Sequence, residues 1–136
     1  MELKYKIAGG DFARAGSASS EVKKILKQLN LDPRCIKRIA VAMYEAEVNV
    51  VAHAYRGVMI VNIDDKRILV NVTDEGPGIP DIEKAMTEGF STASPVVREM
   101  GFGAGMGLTN IKKNSDRFDI SSIVGKGTIV EIICNI

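Results

Sequence analysis

The stretch Arg67-Ile68-Leu69-Val70-Asn71-Val72-Thr73-Asp74-Glu75-Gly76-Pro77-Gly78-Ile79-Pro80 decides the fold. Residues 67–73 are rich in β-branched side chains and read as a strand, and 74–80 read as a Gly/Pro loop. Val58 to Ile63 is a second apolar run, and the tight Asp64-Asp65-Lys66 turn makes the two a hairpin. Phe118 to Val124 and Thr128 to Asn135 form another hairpin, turned by Gly125-Lys126-Gly127. In it Phe118, Ile120, Ser122 and Val124 alternate with Asp119, Ser121 and Ile123, the period of a half-buried strand.

Working outward, residues 2–8 alternate as a short strand. Asp11 caps an expected helix that runs to about Asn30, with Phe12, Ala15, Val22, Ile25, Leu26 and Leu29 at helical spacing and Gly16 weakening its first turns. Asp32 and Pro33 are an N-cap and first helical residue. The helix they open is expected to reach about Tyr55 and to end at Gly57. Pro80-Asp81 starts a helical turn through Met86, residues 88–105 form a long Gly-containing loop, and Met106 to Ser115 is helical. The order β-α-α-β-β-loop-α-β-β segregates helices from hairpins. It predicts an α+β, two-layer sandwich: a mixed, mostly antiparallel sheet with helices on one face. A doubly wound dinucleotide fold is disfavoured. At 136 residues the chain is expected to be a single domain over 1–136.

The net charge is +1, from 18 basic and 17 acidic residues mixed along the chain. That provides no basic field for nucleic acid or a membrane surface, and neither is expected as a partner. No run approaches the ~18–20 apolar residues of a membrane span, and the alternating start lacks the apolar block of a signal peptide. Cys35 and Cys134 sit in apolar patterns and read as reduced core thiols of a cytoplasmic protein. A single histidine, His53, cannot build a histidine-based metal site.

Three groups of residues carry chemistry. Glu45, Asn49 and His53 are spaced by one helical turn and form a narrow polar stripe beside a core face of Ile36, Ile39, Ala40, Met43, Ala46, Val50 and Ala54. Glu47 is out of place, because it projects into the apolar side: either the helix packs less simply than this pattern implies, or Glu47 faces a partner or a charge there. Asp74-x-Gly76-x-Gly78 follows a strand, where a carboxylate can accept from an exocyclic amine and glycines permit positive φ and let backbone approach a flat ligand. Gly101-Phe102-Gly103-Ala104-Gly105-Met106-Gly107-Leu108 runs into a helix, so its backbone N–H groups and the helix dipole suit phosphate oxygens. This run fits neither the GxGxxG nor the GxxxxGK[ST] pattern. Each group has a bland reading, as a solvated helix flank, a plain turn and a hinge. Their joint order, with Gly125-Lys126-Gly127-Thr128 opening the last strand, is far more specific.

In that order the chain resembles the GHKL ATPase superfamily, whose Bergerat ATP-binding fold is shared by gyrase, MutL and histidine kinases. Glu45 to Asn49 is similar to its N box, Asp74-x-Gly76-x-Gly78 to its first glycine box and Gly103 to Gly107 to its second, and the likeness spans essentially the whole chain. Within it, Glu45-Ala46-Glu47-Val48-Asn49 with His53-Ala54-Tyr55 resembles the bacterial anti-sigma factor serine/threonine kinases. Gly76 to Ile82 and Gly89-Phe90-Ser91-Thr92 resemble the stressosome switch kinases.

The resemblance implies that Asn49 coordinates Mg²⁺ bridging the ATP phosphates, that Glu45 is the general base toward a protein serine or threonine, and that His53 lies near the phosphates. It implies that Asp74 binds the adenine amino group with Thr128 beside it, and that Gly76, Gly78, Ile79, Thr92, Gly101, Gly103, Gly105, Gly107 and Leu108 complete the ATP site. Residues 88–105 would be the ATP lid, with Arg98 as its cation toward the γ-phosphate. The implied substrate is a STAS-domain protein of the anti-anti-sigma type, with a sigma factor as a further partner and a homodimer as the assembly. The stretch 93–100 makes this lid longer than that of the switch kinases and leaves the branch open. A non-catalytic module whose partner binding follows ATP and ADP is the second reading. A histidine-kinase catalytic domain is the third, opposed by the lack of a preceding helical pair and of a phosphoacceptor histidine.

Overall fold

The computed structural model of the chain describes residues 1–86 and 107–136. Among them the order is β1 (Glu2–Ala8), a 3₁₀ turn (Phe12–Arg14), α1 (Ser17–Gln28), α2 (Pro33–His53), β2 (Arg56–Ile63), β3 (Arg67–Glu75), α3 (Ile82–Ala85), α4 (Gly107–Lys113), β4 (Arg117–Ile123) and β5 (Gly127–Asn135). The strands form one sheet in the order β1-β2-β3-β5-β4. Every pairing between described strands is antiparallel, where a mixed sheet was allowed for. Helices α1, α2 and α4 pack together over this sheet, with α2 central and touching β1, β2, β3 and β5.

Period 2 in the strands and 3.6 in the helices meet in one core. Met59, Val61, Ile68, Val70 and Ile132 point inward from the sheet and are fully buried beneath Val22, Leu26, Ile39 and Met43 of the helices. Side chains buried this completely contribute about 1.5–3 kcal/mol each. The expected inward set of α2 is buried or half-buried, and Ala42, Val48 and Val51 join it.

Two helix boundaries differ from expectation. The first helix does not start at Asp11, whose side chain makes no capping bond. The chain makes only a 3₁₀ turn and then breaks at Gly16, which takes φ +89° before α1 begins. The N–H groups of Gly16, Ala18 and Ser19 turn toward Glu47 of α2, so the new start is satisfied by a tertiary contact. The second helix starts as expected, with the Asp32 side chain accepting from Arg34 N at 2.8 Å. It ends at His53 rather than near Tyr55, because Ala54 is extended and Tyr55 N donates to Glu75 O at 2.8 Å. Gly57 is therefore a buried residue of β2 and not a helix cap. Strand β3 likewise continues through Asp74 to Glu75, so Asp74 is held by the sheet instead of lying in the loop.

Candidate functional site

Glu45 and Asn49 lie one turn apart on α2, both half-buried, with the first residue of α4 directly over them. A Cβ on Gly107 would sit 3.2 Å from Asn49 Oδ1 and 3.3 Å from Glu45 Oε2. A larger residue there would push into both side chains, so the glycine permits this close approach of the two helices. Asn110, on the next turn of α4, places Nδ2 3.5 Å from Glu45 Oε1. Burial raises the Glu45 pKa above the ordinary carboxylate value, and the Asn110 amide opposes the rise. His53, a further turn along, is half-buried, and burial holds its imidazole below the usual value. Leu108 turns into the hydrophobic core and anchors α4.

The second part of the site is built where β3 and β5 run side by side. Asp74 Oδ1 accepts from Thr128 N at 3.0 Å, although the two residues are 54 apart in the chain. Burial raises the Asp74 pKa and the Thr128 N–H opposes it. A carboxylate has about four lone-pair sites, so Asp74 retains capacity for an amine hydrogen after this bond.

The glycine loop after β3 is clasped by the β4–β5 turn. Gly76 N donates to Lys126 O at 3.0 Å, and Gly125 N donates to Pro77 O at 2.8 Å. Gly78 takes φ +75°, and a Cβ there would lie 2.5 Å from Ile123 O. The positive φ is the freedom expected of this glycine, while the close approach it permits is to the neighbouring strand, where a ligand was the expected neighbour. Ile79 N donates to Ser122 Oγ at 2.7 Å, and Ile79 packs against the core. Ser122 is a residue of this region that motif reading passed over. Its signal was present: a hydroxyl in the inward-facing series Phe118, Ile120, Ser122.

Gly107 and Asn110 thus join the α2 stripe, and Thr128, Ser122 and the loop glycines join Asp74. Thr92, Arg98, Gly101, Gly103 and Gly105 lie outside the described residues. A cavity of about 170 Å³ lies at this end of the site, lined by Asp74, Ser122 and Thr128 together with Thr73, Ser121, Ile123, Lys126, Gly127 and Ile129; neither Glu45 nor Asn49 is among its lining residues.

Residues 10–134 match the family model of the histidine kinase-like ATPase domain. The anti-sigma F factor of Caldanaerobacter subterraneus subsp. tengcongensis is 36% identical over 141 residues, covering 97% of this chain and 90% of that protein. The serine/threonine-protein kinase RsbT of Bacillus subtilis is 33% identical over 115 residues, covering 82% of this chain and 80% of that one. Among solved structures, the RsbU and RsbW domains of a Mycobacterium tuberculosis protein align with a TM-score of 0.67 at 16% identity, over 98% of this chain and 32% of that chain. The mycobacterial sensor histidine kinase MprB aligns with a TM-score of 0.56 at 16% identity, over 99% and 97%. At that identity both likenesses speak to the fold.

Proposed function

The chain belongs to the histidine kinase-like ATPase domain family, and on that premise we propose that it is an ATP-dependent protein serine/threonine kinase of the anti-sigma factor and switch-kinase type, acting by partner switching. The observation that carries the catalytic part is the pairing of Glu45 and Asn49 beneath Gly107, which follows residues 88–105, the proposed lid, in the sequence.

Each residue then has a task. Asp74 accepts the adenine amino group, with Thr128 beside it, and Gly76, Gly78 and Ile79 shape that end of the pocket. Asn49 offers a hard oxygen donor to Mg²⁺. Among the described residues no cluster of three His, Cys, Asp or Glu could hold a metal. An ion held by few side chains, the ATP phosphates and water is the usual habit of Mg²⁺. Bound there, Mg²⁺ would neutralise charge on the transferring phosphoryl group. Glu45 takes the proton of the attacking hydroxyl as the γ-phosphoryl group passes to it and ADP departs. Its burial-raised pKa makes it a stronger base than an exposed carboxylate. His53, Gly107, Leu108 and the lid residues Thr92, Arg98, Gly101, Gly103 and Gly105 complete our assignment toward the phosphates.

The proposed phosphoacceptor is a STAS-domain protein, and the relatives named anti-sigma F factor support a sigma factor as a second partner. We further propose a cytoplasmic setting, which the free thiols Cys35 and Cys134 suit, a single domain over 1–136 and a homodimer. The test is transfer of labelled phosphate from ATP to the cognate STAS-domain protein. Glu45→Ala should abolish transfer and leave ADP binding in place; transfer that survives the substitution removes Glu45 as the base.

A further inference from the structure

Glu47 stands on α2 two residues from Glu45 and two from Asn49. At about 100° per residue its side chain leaves the helix on the side away from both. It is 2% exposed. Its Oε2 accepts from the backbone N–H of Gly16 at 3.0 Å and Ala18 at 3.2 Å, and its Oε1 from that of Ser19 at 2.9 Å. The Ser19 hydroxyl also donates to Oε1. Gly16 has no side chain with which to cap α1, so the cap is delivered from another helix. The buried charge is met by directed backbone donors and by the positive end of α1.

We propose that Glu47 is a positioning residue for the nucleotide site: by locking the start of α1 to the back of α2, it sets the rotation of α2 and hence the aim of Glu45 and Asn49. The inference rests on the roles assigned above to those two residues. Apolar packing is non-directional and tolerates small rotations of a helix, whereas four directed hydrogen bonds into one carboxylate admit a single setting. A side-chain atom about 6 Å from the helix axis moves by about 1 Å for a 10° rotation. Misplacement on that scale can cost about a hundredfold in rate. The adenine end, Asp74 with Thr128, is built on β3 and β5 and does not share this tether.

The experiment uses the full chain carrying Glu47→Gln or Ser19→Ala, assayed well below each variant's melting temperature. Three quantities are read: kcat for transfer to the cognate STAS-domain protein, the gain in ATP affinity on adding Mg²⁺, and ADP affinity in a chelator. For Glu47→Gln we expect kcat to fall roughly ten- to hundredfold and most of the Mg²⁺-dependent gain to vanish, with chelator ADP affinity unchanged to within about twofold. Ser19→Ala, which removes one of the four bonds, should lower kcat by roughly threefold. A general loss of stability would not divide the readouts in this way. A folded Glu47→Gln with wild-type kcat and a wild-type Mg²⁺ gain overturns the proposal. Should that variant fail to fold, wild-type values for Ser19→Ala overturn it instead. Failure of the kinase reading is distinguishable, because the Mg²⁺ gain is measured without any protein substrate.

Discussion

The hydroxyls of Ser122 and Thr128 lie 2.9 Å apart on the inner side of the β4–β5 hairpin. The same Ser122 oxygen accepts from Ile79 N and lies 3.0 Å from Gly127 O. One side chain therefore ties the glycine loop to the strand that holds Asp74. Replacing it with alanine strips the Ile79 N–H of its partner, at a cost of about 1–3 kcal/mol where that group stays dry. Ser122→Ala should lower the melting temperature and weaken ADP binding severalfold, read by calorimetry; unchanged affinity would exclude Ser122 from holding the base end.

Asp74→Asn tests the base end itself. The amide retains an oxygen to face Thr128 N but loses the charged acceptor proposed for the adenine amine. Hydrogen bonds to a charged group are worth about 1.5–3 kcal/mol, so ATP and ADP affinity should fall by about ten- to a hundredfold. The fold should survive, as circular dichroism would show.

Gly78→Ala confronts two obstacles at once. Left-handed backbone costs a residue with a Cβ about 1–2 kcal/mol, and that Cβ would meet Ile123 O at 2.5 Å. We expect a loss of about 2 kcal/mol or more in urea unfolding, with or without nucleotide. A stability within error of wild type would show that the β4–β5 turn does not clasp this loop.

The pH dependence follows from two shifts of opposite sign. The raised Glu45 pKa means that the base is protonated first as pH falls, so the acid limb of kcat should lie above the ordinary glutamate value of about 4.3. Glu45→Gln should remove that limb along with the activity. His53 is depressed by burial, so the folded chain binds a proton there less readily than the unfolded chain. Its contribution to stability is present above the unfolded imidazole value of about 6.5 and is lost as pH falls through the lower folded value. His53→Gln should flatten the stability profile in that window.

Cys134 is buried and its thiol is pushed up to about 11, chiefly by burial. It should resist maleimide labelling at pH 7.5 until the chain is unfolded. Rapid labelling of the native protein at this position would contradict the packing of β5 against the helices.

Much of this protein was legible in its sequence because the signals are local. The β2–β3 and β4–β5 hairpins follow from alternation and turn residues, and the start of α2 from Asp32 and Pro33. The stripe of Glu45, Asn49 and His53 follows from the helical period alone. The sequence by itself therefore determined which elements form, that helices and hairpins are segregated, and which polar residues could be functional. Only the tertiary structure decided where those elements end and what faces them. β2–β3 pairing ends α2 at His53, and the order β1-β2-β3-β5-β4 sets Thr128 against Asp74. Glu47 is the sharpest case. Its period placed it on the apolar side of α2, where a charge is costly, and nothing nearby in sequence could offset that cost. The compensating donors belong to a different helix, brought there by folding, and contacts between distant segments leave no periodic trace in either one.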